Sequence, residues 1–572
     1  MTYRPPIDEI LFTLTRVASP PGSPPPVPVD ELAAILEEAG RFCAERIAPL
    51  DRTSDLVGAR WEDGRVTTPP GFREAYADWI AGGWNAVAQP EAFGGSGLPV
   101  SVGTAAMEML TSSCMALSTL PVLSQGAADA IEAHASDELK ALYLPKLVSG
   151  EWTGTMNLTE PQAGSDLGLL RTRAEPLGDG RYRITGSKIF ITFGAHDLAE
   201  NIIHLVLARL PDAPAGVKGI SLFLVPQRFV AADGTLGAEN DLRCAGIEHK
   251  LGIRGSPTCT MVFGDGGGAI GWLVGEENKG LACMFTMMNK ARLATGLQGV
   301  AMAEKATQKA AAYALERRQG RAAGFDGAAP IAAHPDLAKT LARMKALTAA
   351  ARSIAYAAAA AIDAGDAGDA RASLLTPVVK AFCTDIGCEV ASLGIQVHGG
   401  MGFVEETGAA QLLRDIRIAP IYEGTNAIQA IDLVMRKIPR EGGSEVARLI
   451  AESRADVARA ENRVGPSAAI LAEALSALET ATAHLLAPAI GEAAKLLAAQ
   501  TYLRLFGLAL GGALLSRGAA AAGDSRWAKE ADWIRLARIY AEDIAAEAEG
   551  LAGQIVSTRR DPADYRALAG VG

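Results

Sequence analysis

Apolar residues follow two different spacings along the chain, and the spacing changes twice. At residues 30–150 and 285–437 they recur three to four positions apart in Ala- and Leu-rich stretches, which predicts helices. At residues 153–284 short runs rich in Val, Ile, Thr and Phe alternate with Gly, Pro, Asn and Asp, which predicts strands. Because the strands are clustered and do not alternate with helices, the pattern predicts an α+β fold.

The N-terminal part contains a segment that cannot form a helix. Residues 19–29 read SPPGSPPPVPV, and the prolines favour an extended strap. Asp30 follows as the predicted N-cap of a helix that ends at about Ile47. Helical patterns then continue to about Gly150, with breaks predicted at Gly82 and Gly83 and at residues 93–99.

Residues 442–572 are predicted to form a further helical unit. Its apolar stripes are Leu471, Leu475 and Leu478, and then Trp533, Ala537, Tyr540 and Ile544. Such stripes must be buried, so we expect this unit to pack on the rest of the protein or across a dimer interface. The apolar run at residues 505–515 is too short to span a bilayer and is interpreted as part of a buried core helix.

Four domains are predicted from these patterns. They are an N-terminal strap and helical domain at 1–152, a β-barrel-like domain at 153–284, a helical bundle at 285–441 and the additional helical unit at 442–572.

The charge and the cysteine pattern narrow the functional classes. The formal net charge is -11 and dense Lys/Arg runs are absent, which argues against nucleic acid or an anionic membrane as a partner. The N-terminus lacks the apolar core of a signal peptide. The seven cysteines are scattered without a C-x-x-C pair, so we expect reduced thiols in a cytoplasmic protein.

Generic catalytic motifs are missing from the sequence. It contains no H-E-x-x-H, no G-x-S-x-G and no G-x-x-x-x-G-K-[ST] motif. The G-x-G at Gly400 and Gly402 follows a predicted helix, whereas a dinucleotide fingerprint must follow a strand. We therefore expect neither a hydrolase nor a metal site.

Two segments of the β region are candidates for ligand binding. Residues 158–166 read LTEPQAGSD, a strand end followed by a loop of small residues that lets backbone N–H groups approach an anionic or heteroaromatic ligand. A plain β-turn is the alternative. Residues 188–192 read KIFIT, and alternation along the strand places Phe190 and Thr192 on one face. A buried aromatic with a surface threonine is equally compatible with this pattern.

The second helical region contains two more candidate segments. Residues 396–402 read QVHGGMG and end a helix, with glycines that permit a close backbone approach. Residues 421–426 read IYEGTN and precede the next helix, which Asn426 and Gln429 are predicted to open as a capping-box variant. Glu423 thus stands just before a helix N-terminus, where it could also simply complement the helix dipole.

Together with HKLGIRGSPT at residues 249–258, these segments resemble the acyl-CoA dehydrogenase family over roughly residues 75–440. The resemblance implies FAD-dependent α,β-dehydrogenation of an acyl-CoA thioester to the trans-2-enoyl-CoA. It implies Glu423 as the base that removes the α-proton, and an electron-transfer flavoprotein as the electron acceptor. Ala291 stands where some members carry a base, so a second carboxylate does not compete with Glu423.

The resemblance also implies the residues that bind the cofactor and the substrate. FAD would be bound by Met156, Leu158, Thr159, Gly164, Ser165, Phe190, Thr192, Arg317, Gln396, Gly399, Gly400 and Thr425. Acyl-CoA would be bound by Ser165, Asn289, Arg292 and Gly424. Arg317 and the 396–402 segment correspond to residues that reach the FAD of a neighbouring subunit, so a homodimer or a dimer of dimers is expected.

This chain departs from the family pattern at several of these positions. Phe190 stands where Trp is usual, Asn289 where Asp is usual, and Ala427 where Gln is frequent. Gly320 replaces the aromatic residue that ordinarily follows Arg317, which weakens that carry-over.

The N-terminal strap, the Arg317 continuation and the extra C-terminal unit resemble a longer bacterial branch of the family. Its substrates include 3-(methylthio)propionyl-CoA, so that thioester or another short to medium acyl-CoA is the expected substrate. An oxidase on the same scaffold and a catalytically retired DNA-binding homologue are the alternatives. The acidic charge and the presence of Glu423 count against the second.

Overall fold

The computed structural model describes residues 3–557 and 561–571. The chain forms two compact units. The first comprises Met1–Arg41, Pro99–Ser112 and Arg292–Gly572, and the second comprises Phe42–Leu98 and Ser113–Ala291.

The α-helices are α1 (Ile7–Phe12), α2 (Val29–Phe42), α3 (Leu50–Val57), α4 (Phe72–Ala81), α5 (Val100–Ser113), α6 (Met115–His134), α7 (Asp137–Ser149), α8 (Gly280–Glu316), α9 (Pro335–Asp363), α10 (Asp369–Val397), α11 (Ala409–Ile416), α12 (Asn426–Asp432), α13 (Ser444–Val464), α14 (Ser467–Leu486), α15 (Glu492–Ala521), α16 (Glu530–Asp543), α17 (Ala548–Val556) and α18 (Pro562–Leu568). Single π-helical segments, Thr13–Val17, Cys43–Ile47 and Leu433–Lys437, extend α1, α2 and α12.

The strands are β1 (Arg60–Glu62), β2 (Arg65–Thr67), β3 (Thr153–Asn157), β4 (Arg173–Pro176), β5 (Arg181–Thr192), β6 (Ile202–Ala208), β7 (Ser221–Pro226), β8 (Arg228–Val230), β9 (Leu236–Glu239), β10 (Leu242–Ile247), β11 (Thr258–Phe263) and β12 (Ala269–Val274). The predicted order of helices, clustered strands and helices is confirmed. The four predicted domain boundaries stay predictions.

An eight-stranded sheet dominates the second unit. Its strand order is β10-β11-β5-β12-β7-β6-β3, with β4 paired to β5, and the pair β3 and β6 is parallel. Alternate residues of β6 enter two different cores: Leu205 lies in one and Val206 in the other. The sheet curls enough for β3 to contact β5. Within the described residues the edge strands β3 and β10 do not pair, so the sheet is barrel-like without being closed.

Two glycines let α8 and α10 of the first unit approach each other closely. A Cβ on Gly296 would lie 2.4 Å from Cγ1 of Val379, and one on Gly299 would lie 2.0 Å from the carbonyl oxygen of Cys383. Any side chain at these positions would therefore push the two helices apart. This contact fixes α10 against the part of α8 that begins at Arg292.

A buried ion cluster joins α5, α8 and α9 in the same unit. The Arg352 guanidinium donates to Glu108 at 2.7 Å and to Glu304 at 2.8 Å, and it also pairs with Glu9 on α1. Tyr356 donates to the second oxygen of Glu108 at 2.6 Å. Because removing one partner would leave a buried charge uncompensated, the cluster specifies how these helices pack.

The C-terminal helices pack on the body of the first unit, as predicted. Helix α15 contacts α9, α10 and α12, and Gly507 sits against the ring of Phe382. Arg517 pairs with Asp456 at 2.8 Å and donates to the carbonyl oxygens of Val17 and Ser19. The start of the N-terminal strap is thereby attached to the C-terminal helices.

Two described helices are long and apolar enough to cross a membrane by length and composition, Ser467–Leu486 and Glu492–Asp524. The helix that contains the 505–515 run is thus longer than the run alone suggested. In that helix 89% of the apolar window is buried inside the protein. The interpretation of the 505–515 run as a buried core helix is confirmed.

The strap and the first long helix largely follow the prediction. Residues 20–28 contain no helix, and α2 with its π-helical extension ends at Ile47. The N-cap prediction at Asp30 is wrong, because α2 begins at Val29 and the Leu32 N–H donates to the Pro28 carbonyl. Asp30 pairs instead with Arg526 at 2.7 Å. All seven cysteines are free thiols.

Candidate active site

Glu423 lies in a short loop between α11 and α12 whose backbone is in an unusual conformation. Its φ is 58°, and Gly424 follows with φ 80°, so two consecutive residues adopt the left-handed region. A non-glycine residue there costs on the order of 1–3 kcal/mol and persists only where its surroundings impose it. Gln429 supplies one restraint, since its Nε2 donates to the Glu423 carbonyl at 3.2 Å and the Gly424 carbonyl at 3.4 Å.

The cap of α12 differs from the sequence prediction. Thr425 is the N-cap, and its Oγ1 accepts a hydrogen bond from the Ile428 N–H at 3.3 Å. The capping-box prediction for Asn426 and Gln429 is therefore wrong. Gln429 is engaged with the carbonyls of Glu423 and Gly424, and Asn426 with α10.

The Glu423 carboxyl group has the properties of a base that works near neutral pH. The residue is half-buried, but Oε2 is fully buried and finds no hydrogen-bond partner among the described residues. Burial raises the pKa of Glu423 to about 7, and the positive charges of Arg292 and Lys380 oppose this rise. A carboxylate with an unused oxygen and such a pKa is suited to accept a proton from a substrate.

Arg292 lies beside this loop. Its side chain is buried, and Nη2 would be 3.9 Å from a Cβ placed on Gly424. Burial lowers the pKa of Arg292, and the charges of Asp432 and Glu423 raise it. The structure thus brings together Glu423, Gly424 and Arg292, three of the residues that the sequence assigned to catalysis and substrate binding.

Sequence reasoning missed two residues that hold the Glu423 loop and its end. Lys380 is fully buried on α10, and its Nζ donates to Oδ1 of Asn426 at 2.9 Å. Tyr422 is hydrogen-bonded to Gln298 on α8. The only sequence signal for Lys380 was a cation inside the otherwise apolar run of residues 377–382.

Thr425 lies in the Glu423 loop, whereas the other four predicted residues of the first unit gather in a second place. The ring of Tyr313, near the end of α8, stacks on His398 with centroids 4.5 Å apart. The contact thereby brings together the two segments that contain the exposed predicted residues. Arg317 follows Tyr313 by four residues, and Gln396, Gly399 and Gly400 flank His398. Sixteen residues of α10 separate Lys380 from Gln396, which is about 24 Å along a helix.

The second unit carries the loop of residues 158–166. Five groups donate to the Glu160 carboxylate: Lys188 Nζ at 2.8 Å, Thr172 Oγ1 at 2.6 Å, Gln162 Nε2 at 2.7 Å, and the N–H groups of Arg171 at 2.6 Å and Thr172 at 3.0 Å. Burial alone would raise the pKa of Glu160, but Lys188 and these hydrogen bonds lower it to about 2. Lys188 also donates to the Leu158 carbonyl at 3.0 Å, so the pair fastens the loop to β5.

A β-bulge in β5 presents Phe190 to solvent beside this loop. Phe190 has φ 62° and is 58% exposed, and the register with β11 shifts opposite it. Strict alternation fails here, because Lys188 and Ile191 are both buried although they are three residues apart. The neighbouring Ile189 N–H donates to the Thr159 carbonyl at 2.9 Å. An aromatic side chain held outward in a strained conformation is a suitable platform for a flat ligand ring.

The remaining predicted residues of the second unit differ in exposure. Gly164, Ser165 and Asn289 are exposed, Met156, Thr159 and Thr192 are half-buried, and Leu158 is buried.

Arg209 was also missed by sequence reasoning. Its guanidinium donates to four backbone carbonyls, those of Gly168 at 2.7 Å, Leu170 at 3.1 Å, Pro214 at 3.1 Å and Gly216 at 2.8 Å. One arginine thereby holds the chain that follows the 158–166 loop. The neighbouring residues Ala208 and Leu210 contain no sequence signal that distinguishes this arginine from a surface arginine.

Comparison with protein families covers nearly the whole chain. Models described as the N-terminal, middle and C-terminal domains of acyl-CoA dehydrogenase match residues 29–151, 155–265 and 278–438. A model described as acetyl-CoA dehydrogenase C-terminal like matches residues 446–565.

Two curated relatives and one solved structure are similar over most of their length. A 3-methylmercaptopropionyl-CoA dehydrogenase of Ruegeria pomeroyi is 48% identical over 86% of each chain. A broad-specificity linear acyl-CoA dehydrogenase of Mycobacterium tuberculosis is 34% identical over 80% of this chain and 78% of the relative. The crystal structure of Caenorhabditis elegans ACDH-11 in complex with C11-CoA has a TM-score of 0.81 over 99% of this chain and 95% of that one, at 21% identity.

Proposed function

The chain belongs to the acyl-CoA dehydrogenase family, and on that premise we propose that it converts an acyl-CoA thioester to the trans-2-enoyl-CoA with FAD as cofactor. The observation that carries the proposal is the buried, unpartnered Oε2 of Glu423 on a strained loop. Glu423 is the base that removes the α-proton of the thioester. Its pKa of about 7 leaves a substantial fraction ionised at neutral pH.

The backbone around Glu423 has a role in the same step. Among the described residues the Glu423 N–H has no acceptor, which leaves it able to donate to the thioester oxygen as negative charge develops there. Arg292, buried beside Gly424, supplies a positive charge on the substrate side. Gln429 keeps this stretch of backbone in its left-handed conformation.

FAD, when bound, supplies the acceptor for the hydride that leaves the β-carbon. The residues of the second unit fit a flavin ring, because exposed Phe190 offers an aromatic face beside Thr159. Gly164 is open too, since a Cβ there would have no described heavy atom within 4 Å. Ser165 and Thr192 add hydroxyl donors. Met156 lies on β3, and Leu158 is the first residue of the 158–166 loop.

A second copy of the chain is part of the proposal. Gln396 lies about 24 Å along α10 from Lys380, and the residues Arg317, Gly399 and Gly400 belong to the same end of that helix as Gln396. They are exposed, and they border exposed apolar side chains, Phe403 at 89% and Leu315 at 67%. A patch of this kind favours an interface. We therefore propose a homodimer or a dimer of dimers in which these residues contact the FAD of the neighbouring subunit.

The substrate proposed first is 3-(methylthio)propionyl-CoA, because the Ruegeria pomeroyi relative acts on that thioester and is 48% identical. A linear short to medium acyl-CoA is the second choice, since the Mycobacterium tuberculosis relative is named for linear substrates. Electron-transfer flavoprotein is the proposed electron acceptor, and the cytoplasm the proposed location. Neither relative is named an oxidase or a DNA-binding protein, so those alternatives have no support.

A thioester panel tests the proposal. The purified flavoprotein is mixed anaerobically with 3-(methylthio)propionyl-CoA and with straight-chain acyl-CoAs of increasing length, and the bleaching of the flavin is recorded. We expect the fastest bleaching with the methylthio substrate or its straight-chain isostere. Absence of bleaching with every thioester would overturn the proposed function. In a second assay the reduced flavoprotein is mixed with oxygen or with an artificial acceptor, and equally fast reoxidation by oxygen would restore the oxidase alternative.

A further inference from the structure

Lys380 is a buried cation that has no assigned role in the proton transfer described above. It lies on α10 with no exposed surface, between the buried residues Val379 and Ala381. Its Nζ donates a hydrogen bond to the Asn426 side chain, 2.9 Å away. Because an ammonium group loses its hydration on burial, a lysine kept in such a place has a structural or catalytic reason.

Asn426 transmits the position of Lys380 to the loop. Its Oδ1 accepts from Lys380, and its Nδ2 donates to Asp385 Oδ1 at 2.7 Å, Thr384 Oγ1 at 3.0 Å and the Ala381 carbonyl at 3.2 Å. All these partners lie on α10. Asn426 is also the first residue of α12, three positions after Glu423. One side chain therefore fixes the end of the catalytic loop to α10.

The loop is held from its other side as well. Gln429 binds the carbonyls of Glu423 and Gly424, and the Asn426 N–H donates to the Pro420 carbonyl at 3.0 Å. The left-handed conformation at Glu423 and Gly424 would relax without these contacts, because it is intrinsically unfavourable for glutamate.

We propose that Lys380 is a positioning residue for Glu423, which anchors the catalytic loop through Asn426 and stabilises the carboxylate form of the base by its buried positive charge. The inference rests on the proposed function, because it assigns a role within the same proton transfer. Lys380 need not touch the substrate to act in this way.

The charges around the two groups agree with this role. Burial lowers the pKa of Lys380 to about 8, with Glu423 and Asp385 opposing the shift and Arg292 adding to it, so Lys380 is an ammonium at neutral pH. Lys380 is in turn one of the two cations that hold down the pKa of Glu423. The titratable and charged groups that face this cluster are Arg292 on α8, Asp385 on α10, Arg417 after α11, Tyr422 in the loop, Asp432 on α12, Arg436 in the π-helical segment and Arg504 on α15.

Two substitutions separate the charge from the anchor. Lys380→Met removes both, whereas Lys380→Gln removes the charge and keeps a hydrogen-bond donor for Asn426. For each variant, kcat and KM of flavin reduction by the preferred thioester are measured across the pH range. We expect the acid limb of the pH profile of kcat/KM to shift to a pH about one unit higher in both variants, since loss of a nearby cation raises the pKa of a carboxyl group. Lys380→Met should also lose kcat at high pH, where Glu423 is ionised in any case, with KM little changed.

Lys437→Met is the matched control. Lys437 also reaches α10, where its Nζ donates to Ser373 at 2.9 Å, but it is not among the charges that act on Glu423. It should keep the wild-type pH profile.

An acid limb that stays at its wild-type position in a folded, FAD-loaded Lys380→Gln would overturn the inference. If neither Lys380 variant folds, Asn426→Ala tests the inference. This variant removes the hydrogen bonds that join the loop to α10 and keeps the Lys380 ammonium group. Wild-type kcat at all pH values in that variant would also overturn the inference. A wild-type enzyme that no thioester reduces would instead overturn the proposed function, so the two failures are distinguishable.

Discussion

Nζ of Lys188 lies 2.8 Å from Oε1 of Glu160, and both side chains are buried in the second unit. Lys188 belongs to β5, the strand that presents Phe190, and Glu160 belongs to the loop that contains Thr159 and Ser165. The pair therefore sets the position of the proposed flavin loop relative to the proposed flavin strand.

Glu160→Gln should destabilise the protein by about 3–5 kcal/mol, because it leaves the Lys188 ammonium buried without its countercharge. We expect a lower Tm and faster loss of FAD, measured by thermal unfolding and by the fluorescence of released flavin. The double variant Glu160→Gln/Lys188→Met should recover much of the Tm, since it removes the unpaired charge. A single variant as stable as the wild type would contradict this account.

Glu423→Gln should keep FAD and bind acyl-CoA but lose at least about a hundredfold in turnover, because Ala291 offers no substitute base. Single-turnover bleaching measures the chemical step directly, and isothermal titration measures substrate binding. Glu441→Gln is a suitable control, since Glu441 is an exposed glutamate that also has a positive φ of 52°. More than half of the wild-type rate in Glu423→Gln would rule out its role as the base.

The activity should rise with pH through about 7. The carboxylate is the active form of Glu423, and its pKa is raised to about 7, so kcat/KM should increase as the group loses its proton. Because folding raises the pKa of Glu423, the protonated carboxyl group contributes to folding stability at pH values below its ordinary pKa. This contribution is lost as the pH rises through 7. Rates measured over a pH series, with a check that FAD stays bound, test this expectation. An acid limb centred near pH 4.5 would show a solvated carboxyl group instead.

Arg317→Ala should weaken both FAD retention and assembly, because this exposed residue is proposed to reach the FAD of a neighbouring subunit. Analytical ultracentrifugation and FAD titration of the same samples measure the two effects together. Arg321→Ala, four residues further along the same exposed stretch, is the matched control and should behave as the wild type. Tight FAD binding by a dilute, verified monomer would contradict the proposal.

Deletion of residues 442–572 should give insoluble or dissociated protein. It would expose the faces of α9, α10 and α12 that α15 covers, including Phe382, and would release the carbonyls that Arg517 binds. Solubility, oligomeric state and activity of the truncated protein are the measurements. A soluble, fully active dimer that no longer bound anionic vesicles, when the full-length enzyme does bind them, would favour a membrane anchor instead.

Local sequence patterns were sufficient for the order of the elements and for much of their extent. The prolines of residues 20–28 forbid a helix, and Gly82 and Gly83 end one. The apolar stripes at Leu471 and Trp533 require burial wherever the helices lie. Local patterns misplaced both caps. Helix α2 begins before Asp30, with the Pro28 carbonyl accepting the Leu32 N–H, and at α12 Thr425 and not Asn426 accepts the Ile428 N–H.

The amino-acid sequence by itself determined the α+β class, the family resemblance and the identity of Glu423 as the candidate base, because these rest on periodicity and on short motifs. Only the tertiary structure decided what surrounds that base. Lys380, Arg292 and Gln429 lie 43, 131 and 6 residues from Glu423 in the chain, and the close packing of α8 on α10 through Gly296 and Gly299 brings the first two to it. Burial and long-range charge set the basicity of a carboxyl group, and both depend on which distant segments fold against it.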